Sequence, residues 1–172
     1  MKKVLYSLIA AAACILSVAC QKNDGDIDYG NTLIYIPQAT VNGGLSNDYV
    51  VPSGAAENTQ NFAVKNDKVE VFLGVMRSGK EAGQAFTVGI AVDQMGSSMP
   101  QSLFTLPSRV SVEAGHNQAT FALSLDKAAL SGYKGQVLNL IVKLENPSAY
   151  ALAQKNTSVN IVLNVDALLA RL

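Results

Sequence analysis

Apolar and polar residues alternate with a period of two along much of this chain, and this pattern limits its possible folds more than any other feature. Between Lys68 and Met76, every second residue from Val69 to Val75 is apolar. A period of two places the apolar side chains on one face of a β-strand, whereas an amphipathic helix needs a period of 3.6. No stretch keeps a helical period over several turns, so the sequence predicts an all-β fold.

Seven segments have this alternation or a short apolar run that suits a strand, and turn residues separate several of them by roughly the 8–12 residues typical of a sandwich. Two antiparallel sheets packed face to face bury one side of each strand, and uneven loops favour this sandwich over a closed barrel. A further short strand is possible at 49–51, one helical turn at 126–130, and either a strand extension or a short helix at 166–172. The seven predicted strands are Leu33–Ile36, Lys68–Met76, Ala85–Asp93, Val110–Val112, Ala119–Asp126, Val137–Leu144 and Thr157–Val165.

The first twenty residues have the pattern of a secretory signal. Lys2 and Lys3 precede an apolar stretch from Val4 to Val18, and the chain becomes polar directly after Cys20. This apolar stretch of 15 residues is shorter than the ~20 that a membrane-spanning helix needs. A cleaved signal is therefore favoured over a permanent transmembrane helix.

The end of this segment resembles a bacterial lipoprotein box, in which a peptidase cleaves before a cysteine that carries lipid. In 16–20, Leu-Ser-Val-Ala-Cys, Ala19 supplies the small residue before Cys20. The resemblance implies that 1–19 is a lipoprotein signal peptide and that lipid on Cys20 anchors the protein to a membrane. Cys14 is the competing position, but it leaves an apolar stretch of only ten residues. The other alternative is a secreted protein with a spare cysteine.

Cleavage would change the composition of the working protein. Removing 19 residues from 172 leaves 153, and the loss of Lys2 and Lys3 leaves 11 basic residues against 13 acidic ones. Such a slightly acidic balance argues against nucleic acid as a partner. Because Cys14 would be removed and Cys20 lipidated, thiol catalysis and a structural disulfide are also excluded.

Residues 20–30 are polar and acidic, and they resemble the short tether with which Bacteroidetes lipoproteins are exported to the cell surface. The resemblance implies a lipid-anchored protein of the outer membrane that faces the cell surface. A flexible linker on a periplasm-facing lipoprotein is the alternative. The remaining residues, 31–172, form the predicted β-sandwich domain.

Chemistry-bearing motifs are scarce. His116, the single histidine, lies in a predicted turn, and one histidine cannot form a metal cluster. Asp24, Asp26 and Asp28 have calcium-loop spacing, but the later glycine and glutamate of an EF-hand are missing. No pair stands out among Glu70, Asp93, Glu113, Asp126 and Glu145 as the facing carboxylates of a glycosidase. We therefore predict no catalytic residues, no metal site, no cofactor and no enzymatic activity.

Aromatic side chains are the remaining candidates for ligand binding. Tyr49, Tyr133 and Tyr150 fall in or beside predicted loops, where a ring can stack on the apolar face of a sugar. Loop tyrosines can equally be anchors that bury the ring and leave the hydroxyl in water. Phe72 lies on the opposite strand face from Val71, so it is either exposed or packed against a neighbour.

Several segments, in order, resemble the DUF1735 family, an N-terminal module of many Bacteroidetes surface lipoproteins. They are the opening strand at 33–37, the Ser-Gly strand end at 75–79, the strand at 86–93, the Leu-Pro and Ala-Gly elements of 106–115, and the strands at 121–126 and 137–144. The resemblance implies an immunoglobulin-like antiparallel β-sandwich and an association with glycan acquisition. Family members often continue into a glycan-binding or glycosidase domain, whereas this chain is expected to hold the module alone.

Three functional hypotheses follow from these features. The first is a non-enzymatic, lipid-anchored surface module for glycan capture, with a polysaccharide or an outer-membrane transport protein as partner. The alternative is a structural or adhesive surface protein of the fimbrial type, which would work by strand exchange. A small hydrolase is a third and weaker possibility.

The lipid anchor is tested by Cys20→Ala, with Cys14→Ala as the matched control. We expect Cys20→Ala to move the protein from the membrane fraction to the soluble fraction, because no lipid can be attached, while Cys14→Ala stays with membranes. Fractionation and immunoblotting measure both. Retention of Cys20→Ala in the membrane fraction would show that the lipoprotein-box assignment is wrong.

Overall fold

The computed structural model describes residues 32–172, except 42, 44, 54–60 and 80–82. The predicted signal peptide, Cys20, the acidic tether and the aspartates at 24, 26 and 28 lie outside the described residues. Within the described part, the chain forms eleven strands: β1 Leu33–Tyr35, β2 Asp48–Val51, β3 Phe62–Lys65, β4 Lys68–Arg77, β5 Phe86–Val92, β6 Phe104–Thr105, β7 Arg109–Val112, β8 Gln118–Asp126, β9 Val137–Glu145, β10 Ala151–Leu152 and β11 Ser158–Asn164.

These strands form two sheets. The six-stranded sheet has the order β10-β1-β4-β8-β6, with β3 also paired to β4, and the five-stranded sheet has the order β2-β11-β9-β5-β7. The longest ladder joins β4 to β8 in antiparallel register from Lys68 opposite Asp126 to Met76 opposite Gln118. The predicted all-β sandwich is therefore confirmed. Two pairs at the sheet edges are parallel, β1 with β10 and β2 with β11.

The structure contains all seven predicted strands, to within a few residues at their ends, and the possible strand at 49–51. It adds β3, β6 and β10, which the sequence did not indicate. β6 and β10 have two residues each, too few for an alternation, and only the first residue of β3 is buried. Short strands at sheet edges are paired because a longer neighbour offers free backbone groups, and this depends on tertiary structure.

The hydrophobic core lies between the two sheets, where the alternating residues of the long strands meet. In β8, Phe121, Leu123 and Leu125 are buried, and in β9 every second residue from Leu138 to Leu144 is buried. Each fully buried aliphatic side chain contributes about 1.5–3 kcal/mol through removal from water. Burial of one face of each strand also sets the register, because a shift by one residue would turn every core side chain outwards.

Two short helices close one end of the sandwich. Helix α1, Lys127–Leu130, begins after Asp126, whose carboxylate accepts the N–H groups of Ala128 and Ala129. Helix α2, Val165–Leu169, is capped in the same way by the Asn164 side chain and buries Val165 and Leu168. The helix alternative for 166–172 is thus the observed one. No helix within the described residues has the length and apolar composition to cross a membrane.

A 3-10 helix, Pro37–Thr40, fills a gap at one side of β4. Strand β1 pairs with the end of β4 and β3 with its beginning, so the middle of β4 lacks a strand on that side. The Gln38 side-chain oxygen accepts the N–H of buried Gly74 at 2.9 Å, and the backbone oxygen of Asn61 accepts that of Phe72 at 3.1 Å. These bonds satisfy donors that would otherwise be buried without partners.

This arrangement predicts that Gln38→Ala destabilises the domain. Loss of the amide leaves the buried N–H of Gly74 without an acceptor, which typically costs about 1–3 kcal/mol. Gln94→Ala is the matched control, because Gln94 forms an exposed side-chain bond to Gln101 and should change stability by less than about 0.5 kcal/mol. Urea unfolding measures both variants. Equal effects would contradict the role assigned to Gln38.

Candidate functional site

The outer face of the six-stranded sheet carries a strip of apolar side chains, which we call the outer strip: Tyr35, Pro37, Phe72 and Met76. In β4 the buried positions are the odd-numbered residues, so Phe72 and Met76 lie on the side away from the core. Phe72 is half-buried, and the residue opposite it on β8 is the small Ala122. Because Ala122 has only a methyl group, it can cover little of the Phe72 ring from the β8 side, and an aromatic ring with an accessible face can stack on a ligand.

Two contacts hold the other members of the strip together. The Tyr35 hydroxyl donates to the Met76 sulfur at 2.7 Å, and these residues are directly opposite each other in the β1–β4 pair. The ring of Pro37 lies over Gly74, where a Cβ atom would be only 3.1 Å from the proline Cγ. Glycine at position 74 therefore allows the 3-10 helix to lie against the sheet. The Pro37 ring fills the place between Met76 and Phe72 and makes the strip continuous.

Polar side chains border the strip along β8. Gln118 and Thr120 are exposed opposite Met76 and Gly74, and Ser124 is half-buried opposite Glu70. Hydroxyl, amide and carboxylate groups of this kind can bind the hydroxyls of a polar ligand. An apolar centre with a polar border is the usual composition of a ligand-binding surface.

A cavity of about 640 Å³ lies at the end of the sandwich that carries the β3–β4 turn and α1. Its polar groups already bind each other: the Asp126 carboxylate accepts Lys68 Nζ at 3.2 Å, and Lys127 Nζ donates to the backbone oxygen of Leu172 at 3.3 Å. The N–H of Ala129 and then Lys68 hold the pKa of Asp126 below its usual value. Because these groups are committed to helix capping and ion pairing, the cavity has fewer free groups for a ligand than the outer strip. Its lining consists of Asp67, Lys68, Asp126, Lys127, Ala128, Ser131, Leu169 and Leu172.

Two of the carboxylates considered from the sequence, Asp93 and Asp126, form ion pairs beside different sheets. Asp93 pairs with Lys143 beside the five-stranded sheet, and the hydrogen bond from Lys143 lowers the pKa of Asp93. Asp126 belongs to the six-stranded sheet, so the two carboxylates lie on opposite sheets. His116 is exposed in the β7–β8 turn, as predicted. Among the described residues, no three His, Cys, Asp or Glu side chains form a group suited to a metal ion.

Tyr49 and Tyr133 both pack against the core. Tyr49 lies in β2 opposite Ile161, on the inward side, and burial raises the pKa of its hydroxyl, with a smaller opposing effect of Asn61. Tyr133 ends a 3-10 helix after α1 and is half-buried. Both positions fit the alternative that these tyrosine rings anchor loops to the core. That either ring binds a ligand stays a prediction.

Tyr150 lies at the opposite end of β4 from the cavity, beside a charged residue in the core. Its ring contacts Phe86 edge-to-face, with centroids 5.6 Å apart, and the Arg77 guanidinium carbon is 5.2 Å from the Tyr150 centroid. Arg77 is only 4% exposed because it continues the inward row of β4. Tyr49 lies in β2, Tyr133 in a 3-10 helix and Tyr150 directly before β10. Of these three predicted tyrosines, Tyr150 is the one whose ring contacts Arg77.

The alternation predicts the direction of Phe72 but does not identify its companions. In the sequence, Pro37 indicates only the end of the first strand, and Arg77 lies one residue beyond the predicted end of the second. The alternation itself contained the signal for Arg77, because continuing the odd-numbered inward row of Lys68–Met76 by one step places residue 77 in the core.

Comparisons with solved structures identify other proteins with this sandwich. The apo-form Calx CBD1 domain matches with a TM-score of 0.51 at 14% identity, covering 78% of this chain and 96% of that domain. A "putative carbohydrate binding protein" from Bacteroides ovatus also matches with a TM-score of 0.51, at 12% identity. That match covers 76% of this chain and 36% of the other, so the chain spans about a third of its length. At these identities the likeness shows a shared fold.

The class that these observations define is a two-sheet β-sandwich domain. The similar solved structures also include a multidomain protein including DUF1735 from Bacteroides ovatus, at 14% identity and a TM-score of 0.41, covering 67% of this chain and 44% of that chain. That protein includes a domain of the family that the sequence segments resemble. No protein-family model matches the sequence, and no curated protein matches it either.

The charge on Asp126 is tested by Asp126→Asn, which keeps a capping oxygen and removes the ion pair. Because the folded-state pKa lies below the usual value of 3.8, the charge stabilises the fold above that pH and the effect is lost as pH falls through the folded-state pKa. We expect the variant to be less stable at pH 7, with the difference shrinking below about pH 4. Urea unfolding between pH 7 and pH 2.5 measures this.

A double-mutant cycle with Lys68→Met is the control for that measurement. If Lys68 acts through the ion pair, Asp126→Asn should lower the free energy of unfolding less in the Lys68→Met protein than in the unmodified protein. An equal loss of stability in both proteins would mean that the Asp126 charge acts mainly on the helix N–H groups.

Proposed function

We propose that this protein is a non-enzymatic, lipid-anchored β-sandwich of the outer-membrane surface that binds glycans through the outer strip. The observation that carries the proposal is the outward Phe72 ring opposite Ala122. Pyranose rings have an apolar face of C–H groups that stacks on aromatic rings, and their hydroxyls need polar partners around the contact. Phe72 supplies the ring, and Thr120, Gln118 and Ser124 supply the partners.

Two further observations support binding over catalysis. Asp93 and Asp126 each have a lysine partner and a lowered pKa, whereas the general acid of a glycosidase needs a raised pKa. The solved Bacteroides ovatus protein with the same sandwich is described as a "putative carbohydrate binding protein". The resemblance of 16–20 to a lipoprotein box and the acidic residues after it support the proposed location.

The fimbrial alternative depends on the edges of the sheets. Several edge strands among the described residues are short: β10 and β6 have two residues each, and β2, β3 and β7 have four each. Because β6 pairs only with Ser124 and Leu125, the preceding part of β8 has no described strand on that side and is the edge where strand exchange could act. We place glycan binding first because of the outward Phe72 ring.

The proposal is tested by Phe72→Ala in glycan-array and affinity-gel measurements on the purified protein. We expect at least a tenfold loss of affinity for any glycan that the unmodified protein retains, because the sugar can no longer stack on the aromatic ring. Phe72→Tyr keeps a ring and should keep most of the affinity. The half-buried position predicts a small effect on folding, which thermal unfolding checks.

Val162→Ala is the matched control, since Val162 is a half-buried residue on the outer face of the five-stranded sheet. It should leave glycan affinity unchanged. Absence of binding to every polysaccharide tested, or an equal loss in Val162→Ala and Phe72→Ala, would contradict the proposal.

A further inference from the structure

The Arg77 side chain is a buried cation whose hydrogen-bonding capacity is not used. Its Nε and Nη2 atoms are buried and have no hydrogen-bond partner. The described residues hold two ion pairs, Lys68–Asp126 and Lys143–Asp93, and Arg77 belongs to neither. A buried charge without a hydrogen-bonded counter-charge is costly, and proteins generally keep such groups paired.

The two unpartnered atoms are the pair that one carboxylate can satisfy. Nε–H and Nη2–H point in the same direction along one edge of a guanidinium, at a spacing that matches the two oxygens of a carboxylate. The Tyr150 ring contacts the face of the cation and supplies no hydrogen-bond acceptor to this buried edge. The geometry therefore calls for a planar anion rather than a single hydrogen-bond acceptor.

The surroundings of Arg77 are built closely around the guanidinium. At Gly83, a Cβ atom would overlap with Arg77 Nη1 and with the Tyr150 hydroxyl, so a larger residue there would require these side-chain ends to move. Tyr150 has a φ of 65°, in the left-handed region that a tyrosine rarely adopts. Strained backbone of this kind is concentrated at ligand sites, where the surrounding structure holds it in place.

Exposed residues border this end of the sandwich. Gln84 and Ala85 are exposed, and the Tyr150 hydroxyl reaches the backbone oxygen of Gln84 at 3.4 Å, near the upper limit for a hydrogen bond. By contrast, Ser148 is held to Thr87 by two bonds of 2.8 and 2.9 Å. The longest of these three hydrogen bonds thus lies beside the guanidinium.

We propose that the Nε–Nη2 edge of Arg77 binds the carboxylate of a small anionic ligand, which enters between Gln84 and Tyr150. This site is at the strand end, apart from the outer strip, and it does not depend on the proposed glycan binding. Sugar acids and simple organic acids share the required chemistry.

Thermal unfolding with added galacturonate, acetate, galactose and inorganic phosphate tests the proposal. A carboxylate that binds the folded state raises Tm with concentration, so galacturonate should raise Tm while galactose does not. An equal response to acetate identifies the carboxylate alone as the ligand, and a response to galacturonate only identifies a sugar acid. No response to either carboxylate, or an equal response to phosphate, would overturn the proposal.

Three variants separate binding from a structural role. Arg77→Lys keeps the charge but lacks the paired N–H edge, so we expect at least tenfold weaker binding, whereas the exposed Arg109→Lys should bind as the unmodified protein does. Arg77→Met should abolish the response without lowering Tm in the absence of ligand, because it removes an unpaired buried charge. Full binding by Arg77→Lys would contradict the bidentate contact.

A fourth variant, Glu81→Gln, examines whether the chain supplies its own carboxylate. Residue 81 lies outside the described residues. If an external ligand is the partner, Glu81→Gln leaves both Tm and the galacturonate response unchanged. A lowered Tm together with a stronger response to acetate would assign the carboxylate to Glu81 and overturn the proposal.

Discussion

The antiparallel pairing of β4 with β8 determines where every candidate site of this protein lies. Nine consecutive residue pairs, from Lys68 opposite Asp126 to Met76 opposite Gln118, fix one face of β4 towards the core and the other towards solvent. Because side chains alternate along a strand, a slip by one residue would bury Phe72 and expose Arg77. The outer strip and the buried guanidinium are therefore two consequences of a single register.

The register is stable because the inward row of β4 is strongly apolar, and this is also why much of the fold could be predicted. Apolar and polar residues alternate clearly from Val69 to Val75, and the same alternation predicts strands β5, β8, β9 and β11. The two-residue β6 and β10 could not be predicted, since pairing to a longer neighbour creates them. Their order in the sheets is likewise a property of contacts between distant segments.

The candidate sites were less predictable than the fold because a site depends on neighbours that alternation does not identify. Phe72 could be placed on the outer face, but its freedom from cover depends on Ala122 across the ladder. Pro37 joins the same strip only because Gly74 lacks a Cβ atom. Tyr49 looked available in a loop, yet the parallel pairing of β2 with β11 turns it inwards.

The charged residues at the two ends of β4 differ in whether they have partners. Those at the first end have a structural role, whereas the one at the second end is suited to a ligand. At the first end, Lys68 faces Asp126, which also caps a helix, so donors and acceptors satisfy each other. About 30 Å further along the strand, at the ~3.4 Å rise of each residue, Arg77 is more deeply buried and two of its nitrogens lack partners. A methionine could fill the same inward position without that cost. The presence of arginine there is best accounted for by an anion that occupies its free edge.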